Sequence, residues 1–152
     1  MKRRDFLKTS SLFAALGLLG NTSILRAASA SVGTFHPLRR GAGYFIGRGG
    51  TIGWLVNHEA LAVIDTQFPP TAKVCLAGLP DHGDRMIDVV LNTHHHGDHT
   101  SGNGVFASLS STHVAHARAK QNIIDNLAAN DKAGTVPLPS TVFESGWSTN
   151  LP

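Results

Sequence analysis

Met86-Ile87-Asp88-Val89-Val90-Leu91-Asn92-Thr93-His94-His95-His96-Gly97-Asp98-His99-Thr100-Ser101-Gly102-Asn103 is the stretch on which the reading turns. Its first seven residues are a β-prone run with Asp88 as the only charge, too short for a buried helix, so Met86 to Asn92 reads as a strand. Directly behind it, His94 to His99 contains the pattern His-x-His-x-Asp-His, four metal-ligating residues within six. With this chain's own His and Asp frequencies, chance would produce those four positions roughly twice in a thousand sequences. In an extended loop side chains alternate, so His94 and His96 face one way and suit one ion, while His95 points away. Gly97 lets the chain turn, after which Asp98 and His99 present to a second ion. Imidazole and carboxylate together suit zinc, with iron or manganese as alternatives, and the lack of nearby cysteine argues against a structural thiolate site.

Upstream of that strand, Tyr44-Phe45-Ile46 and Thr51 to Val56 flank the pair Gly49-Gly50 and predict a hairpin. A third strand is expected over Ala60 to Asp65, and Pro69-Pro70 then opens a helix over Thr71 to Leu79. Downstream, a short helix around Gly104 to Leu109, a strand Thr112 to Ala115, an amphipathic helix Ala117 to Ala129 and a strand Thr141 to Glu144 complete the pattern. A hairpin followed by strand-helix alternation predicts a mixed α/β sheet covered by helices, with the histidine cluster beyond the carboxyl ends of its strands.

The chain has 152 residues, a formal net charge of +3, nine histidines and one cysteine. One domain is therefore the most to expect, without a disulfide framework. Residues 1–30 read as an export signal: a basic start at Lys2-Arg3-Arg4, an apolar run from Leu12 to Leu19, and a small-residue cleavage site at Ala28-Ser29-Ala30. The run is too short for a stable membrane anchor. Arg3-Arg4-Asp5-Phe6-Leu7-Lys8 resembles the twin-arginine signal, which implies export of an already folded protein to the bacterial periplasm, often with its cofactor loaded. This segment holds five of the thirteen basic residues and one of the ten acids, leaving eight against nine in residues 31–152. The basic pI belongs to the leader, so no nucleic-acid partner is expected.

The block Thr93 to Asn103 resembles the metallo-β-lactamase superfamily, including its glyoxalase-II-like hydrolases. The segment Gly53 to Asn57, followed by an apolar strand ending in Asp65-Thr66, is similar to that family's early hairpin. The resemblance implies an αβ/βα sandwich of which residues 31–152 are the N-terminal half. It implies His94 and His96 in a first metal site, Asp98 and His99 in a second, two zinc ions in a complete domain, and Asp65 orienting the metal loop. The implied activity is hydrolysis of an ester, thioester, lactam or related bond in a small-molecule substrate by a zinc-bound hydroxide, with Asp98 also orienting or accepting the water's proton.

The ligands that the family's second half supplies have no match here, so the chain alone is expected to be a poor catalyst. It is also expected to expose one sheet face and an edge that favour self-association or a complementing chain. The rival readings are a truncated metal-binding fragment without activity of its own and, behind it, a periplasmic metal carrier. His113 and His116 are expected to be structural, Cys75 to be core, Trp54 and Trp147 to pack in the core or at its rim, and His36, His58 and His82 to be ordinary surface or satisfied histidines.

Overall fold

The computed structural model describes residues 32–150, so the export signal expected over residues 1–30 lies outside the described residues. Seven strands form one sheet in sequence order: β1 (Thr34–Pro37), β2 (Ala42–Ile46), β3 (Thr51–Val56), β4 (Leu61–Ile64), β5 (Ile87–Asn92), β6 (Ser110–His116) and β7 (Thr141–Phe143). The first four run antiparallel, joined by tight turns. From β4 onward pairing is parallel, and each step needs a crossover. Helix α1 (Pro69–Gly78) makes the first. The histidine loop, with α2 (Gly97–Thr100), α3 (Asn103–Phe106) and a 3₁₀ turn at Ala107–Leu109, makes the second, and α4 (Ala117–Ala129) the third. Strands advancing in one direction with right-handed crossovers carry all their helices on one face.

Register shows which face that is. Phe35 pairs with Phe45 and Phe45 with Ile52, while Trp54, Val63, Val90 and His113 follow one another across β3 to β6. These aromatic and aliphatic side chains pack under Ala72 and Cys75 of α1 and Phe106 of α3. The opposite row runs through Tyr44, Gly53, Ile64 and Leu91, and on that side Ile46 and Ile64 are 45% and 39% exposed. Both edges, β1 and β7, are short, which limits the unpaired backbone they present.

Strand β1 is the element the sequence pattern does not announce. Thr34–Pro37 has no apolar alternation and ends in proline; it exists because it pairs with β2 and because the Phe35 ring packs at a tilt against Phe45 and Trp54, with ring centroids 4.8 and 5.7 Å away. His36, expected to be an ordinary surface or satisfied histidine, stacks on Tyr44 across the same pair. Asp88, the one charge in β5, accepts a hydrogen bond from the Leu61 amide at 2.8 Å. No helix among the described residues is long and apolar enough to cross a membrane.

Candidate metal centre

Two loops leave the carboxyl ends of β4 and β5 and zip together. The Asp65 amide donates to Leu91 O, the Thr66 amide to His99 O, and the Gly102 amide to Gln67 O. The approach is so close that a side chain at Gly102 would overlap the Thr66 carbonyl, so glycine is required there. On the β4 side, Asp65 and Gln67 adopt left-handed backbone conformations, φ 62° and 51°. That is costly for residues with a side chain, and here it turns the Asp65 carboxylate toward the histidine loop.

Asp65 is 4% exposed and carries three contacts on its two oxygens. Oδ1 accepts from the Thr93 amide at 2.8 Å; Oδ2 accepts from Thr93 Oγ1 at 2.7 Å and lies 2.8 Å from His99 Nδ1. The pattern assigns tautomers. A carboxylate only accepts, so His99 Nδ1 carries a proton, and in the neutral ring Nε2 is left bare. Thr93 spends its one proton on Asp65, so toward His94 Nδ1, 3.0 Å away, it accepts, and His94 Nε2 is bare as well. The two rings lie 4.0 Å apart, and Asp65, His94 and His99 each bring a ligand atom within 4.8 Å of the others. Burial first, then the neighbouring His99 and His96, push the His94 pKa down, which keeps it in the neutral form that binds metals.

Of the four residues singled out by the sequence, His94 and His99 are thus brought together. Asp98 joins them with Oδ2 3.5 Å from His99 Nε2. The His96 ring lies 4.8 Å from that of His94, and its backbone carbonyl caps α2 by accepting from the His99 amide. His95 and His96 both border a cavity of about 300 Å³ between the loop and α4. Imidazole and carboxylate ligand atoms gathered this closely form a donor set that fits a divalent transition ion such as zinc, and the Asp65 contact to His99 Nδ1 is the kind by which outer carboxylates orient histidines in metal sites.

The structure adds residues that sequence reasoning passed over. The β2–β3 turn folds onto the loop: a methyl group at Gly50 would lie 2.7 Å from His99 Nε2, and Gln67 Nε2 donates to the Gly50 carbonyl. Beneath the loop, Thr66, Asn92, Asn103 and His113 form a buried hydrogen-bonded cluster. A polar residue closing an apolar strand was the only signal for Asn92. Cys75 is fully buried, and burial pushes its thiol up to about 12, consistent with the expected core role.

Residues 46–151 match the family described as the Metallo-beta-lactamase superfamily. Among solved structures the chain is similar to MEM-A1, a subclass B3 metallo-beta-lactamase from a soil metagenome library, at TM-score 0.59 and 19% identity, covering 77% of this chain and 48% of that one. It is similar to the metallo-beta-lactamase FIM-1 from Pseudomonas aeruginosa in its mono-zinc form, at TM-score 0.56 and 14% identity, covering 73% and 50%. A metallo-beta-lactamase from Hirschia baltica matches at TM-score 0.55 and 15% identity, covering 76% and 53%. At such identities these structures speak for the fold, and this chain spans about half their length. No curated protein matches the sequence. With the family match covering most of the chain and the histidine loop seated at the strand ends, the chain belongs to the metallo-beta-lactamase superfamily.

Proposed function

We propose that the chain is the metal-binding part of a metal-dependent hydrolase acting on a small-molecule carbonyl compound, an ester, thioester or lactam, with zinc as the ion. The observation that carries this reading is the chain His94–Thr93–Asp65–His99, which leaves both Nε2 atoms bare and 19% of the His99 side chain exposed. A divalent ion held there would lower the pKa of water from about 15.7 to about 7 and so supply hydroxide at neutral pH. The rest is done by the chain's own side chains. His94 and His99, which the fold brings together, would offer Nε2 to the ion, and in a complete domain with two ions His96 would join His94 at one and Asp98 would join His99 at the other. Asp65 keeps the His99 ring from rotating, and Asp98 Oδ2 would accept a proton from the attacking water. The Gly49–Gly50 turn walls one side of the site. Arg3-Arg4 and Ala28-Ser29-Ala30 support export through the twin-arginine route to the periplasm.

The test is elemental analysis of the purified chain, followed by hydrolysis assays with a chromogenic lactam, a thioester and an ester. Zinc should be retained by the wild type and by His95→Ala and lost in His94→Ala, and hydrolysis, slow as expected without the family's second-half ligands, should depend on added zinc. A wild-type chain that holds no zinc at micromolar metal would refute the proposal. Zinc binding without zinc-dependent hydrolysis of any of the three would favour the metal-binding fragment instead.

A further inference from the structure

We propose that His113 is a positioning residue of the metal loop: it orients the Asn92 carboxamide, which in turn holds the backbone carbonyl of His99 from beneath. The inference rests on the reading of His94 to His99 as a metal site. His113 lies on β6, 6% exposed, and its Nε2 is 2.8 Å from Asn92 Oδ1. Asn92, at the end of β5 and 1% exposed, donates from Nδ2 to His99 O at 3.2 Å and to Asn103 Oδ1 at 3.0 Å. Asn103 donates back to Asn92 Oδ1 at 3.0 Å and to Pro137 O at 3.1 Å. The His99 carbonyl also receives the Thr66 amide at 2.9 Å and has Thr66 Oγ1 at 3.0 Å.

The arrangement has one consistent set of directions. His99 O and Asn103 Oδ1 are both acceptors facing the same end of Asn92, so that end must be the amide nitrogen, and Asn92 Oδ1 must face His113. His113 then has to donate, which requires the neutral Nε2–H tautomer. Burial, and after it Lys120, push its pKa down to about 4, so the ring is neutral at ordinary pH. Were His113 only a filler of the core, an apolar side chain would do the same work without adding a buried polar group to satisfy. What the cluster accomplishes is to grip His99 at a second point. Asp65 fixes the ring at Nδ1, while Asn92 and Thr66 fix the backbone, so Nε2 has little freedom left. Outer partners of metal-binding histidines typically change metal affinity by about 10- to 100-fold when lost.

The experiment uses the full 152-residue chain and the variants His113→Phe and His113→Gln. Zinc affinity is measured by competition with a chromogenic chelator, and amide hydrogen exchange is followed in the zinc-free protein. His113→Phe, which removes the donor, should weaken zinc by about tenfold or more. It should also speed exchange at the Thr66 amide while the Val63 and Val90 amides stay slow. His113→Gln keeps an N–H donor and should recover most of the affinity. Zinc binding by His113→Phe within twofold of wild type, or exchange that rises equally at Thr66, Val63 and Val90 with no rescue by Gln, would overturn the proposal. Nitrogen NMR of the wild type decides independently of whether a variant folds: His113 should carry its proton on Nε2, and a proton on Nδ1 would overturn the assignment. If wild type binds no zinc, the metal reading fails, while the tautomer and the Thr66 exchange still decide the role of His113.

Discussion

Replacing Gly50 by alanine tests whether the β2–β3 turn is fitted to the metal loop. The added methyl would stand 2.6 Å from His99 Cε1, 2.7 Å from His99 Nε2 and 3.0 Å from Asp98 O. Ordinary carbon contacts are about 3.5–4.0 Å, so the turn and the ring must separate by about 1 Å. The Gln67 side chain ties the Gly50 carbonyl down, which resists movement of the turn and puts the displacement on His99. Overpacking of this kind costs about 1–3 kcal/mol, and the smaller entropy of the unfolded alanine chain returns about 0.4–1 kcal/mol. The net effect lies between about 0 and 2.6 kcal/mol of destabilisation, with a midpoint of about 1.3 kcal/mol. The larger effect should fall on the ion, because coordination distances tolerate only about 0.2 Å and functional geometry about 0.5 Å. Zinc affinity should drop at least about tenfold, equivalent to about 1.4 kcal/mol. Chelator competition gives the affinity and urea unfolding of the zinc-free chain gives the stability, with Gly146→Ala as control, since nothing lies within 4 Å of a methyl there. Zinc binding by Gly50→Ala within twofold of wild type would refute the idea that the turn is fitted to His99.

Other perturbations have equally definite outcomes. Asp65→Asn removes acceptor capacity that three donors share, so zinc affinity should fall by about 10- to 100-fold, and a loss below threefold would show that the carboxylate does not orient His99. The folded pKa of His113, about 4, lies below its ordinary 6.5. Between those values the unfolded chain binds a proton that the folded chain refuses, so the contribution is fully present above pH 6.5 and is lost as pH falls toward 4. The loss is on the order of 3 kcal/mol, and urea midpoints measured from pH 7 to pH 4 should fall less steeply in His113→Gln than in wild type. An identical pH dependence in both proteins would contradict the burial of a neutral ring. Cys75 should resist thiol reagents at pH 8 in the native state and react on unfolding; rapid native labelling would show that α1 does not seal the core.

Much of this protein was legible because its signals are local. The elements from the β2–β3 hairpin to α4 follow from glycine pairs, prolines at a helix start and apolar periodicity, all of which act within a few residues along the chain. Asp65 was found only through resemblance, because its partners Thr93 and His99 stand 28 and 34 residues away in sequence. Strand β1 was missed for the same reason: its stabilising contacts belong to Phe45 and Trp54, not to its own four residues.

The sequence by itself determined the ligand types, their spacing behind an apolar strand and the family likeness they carry, since the chemistry of histidine and aspartate needs no fold to be recognised. Only the tertiary structure decided which nitrogens are free and which are spent. That depends on where Thr93, Asp65, Asn92 and His113 place their donors and acceptors, and parallel pairing of β4, β5 and β6 brings those residues together from chain positions as far as 48 apart. Hydrogen-bond direction is a property of neighbours in space, and no periodicity along the chain encodes it.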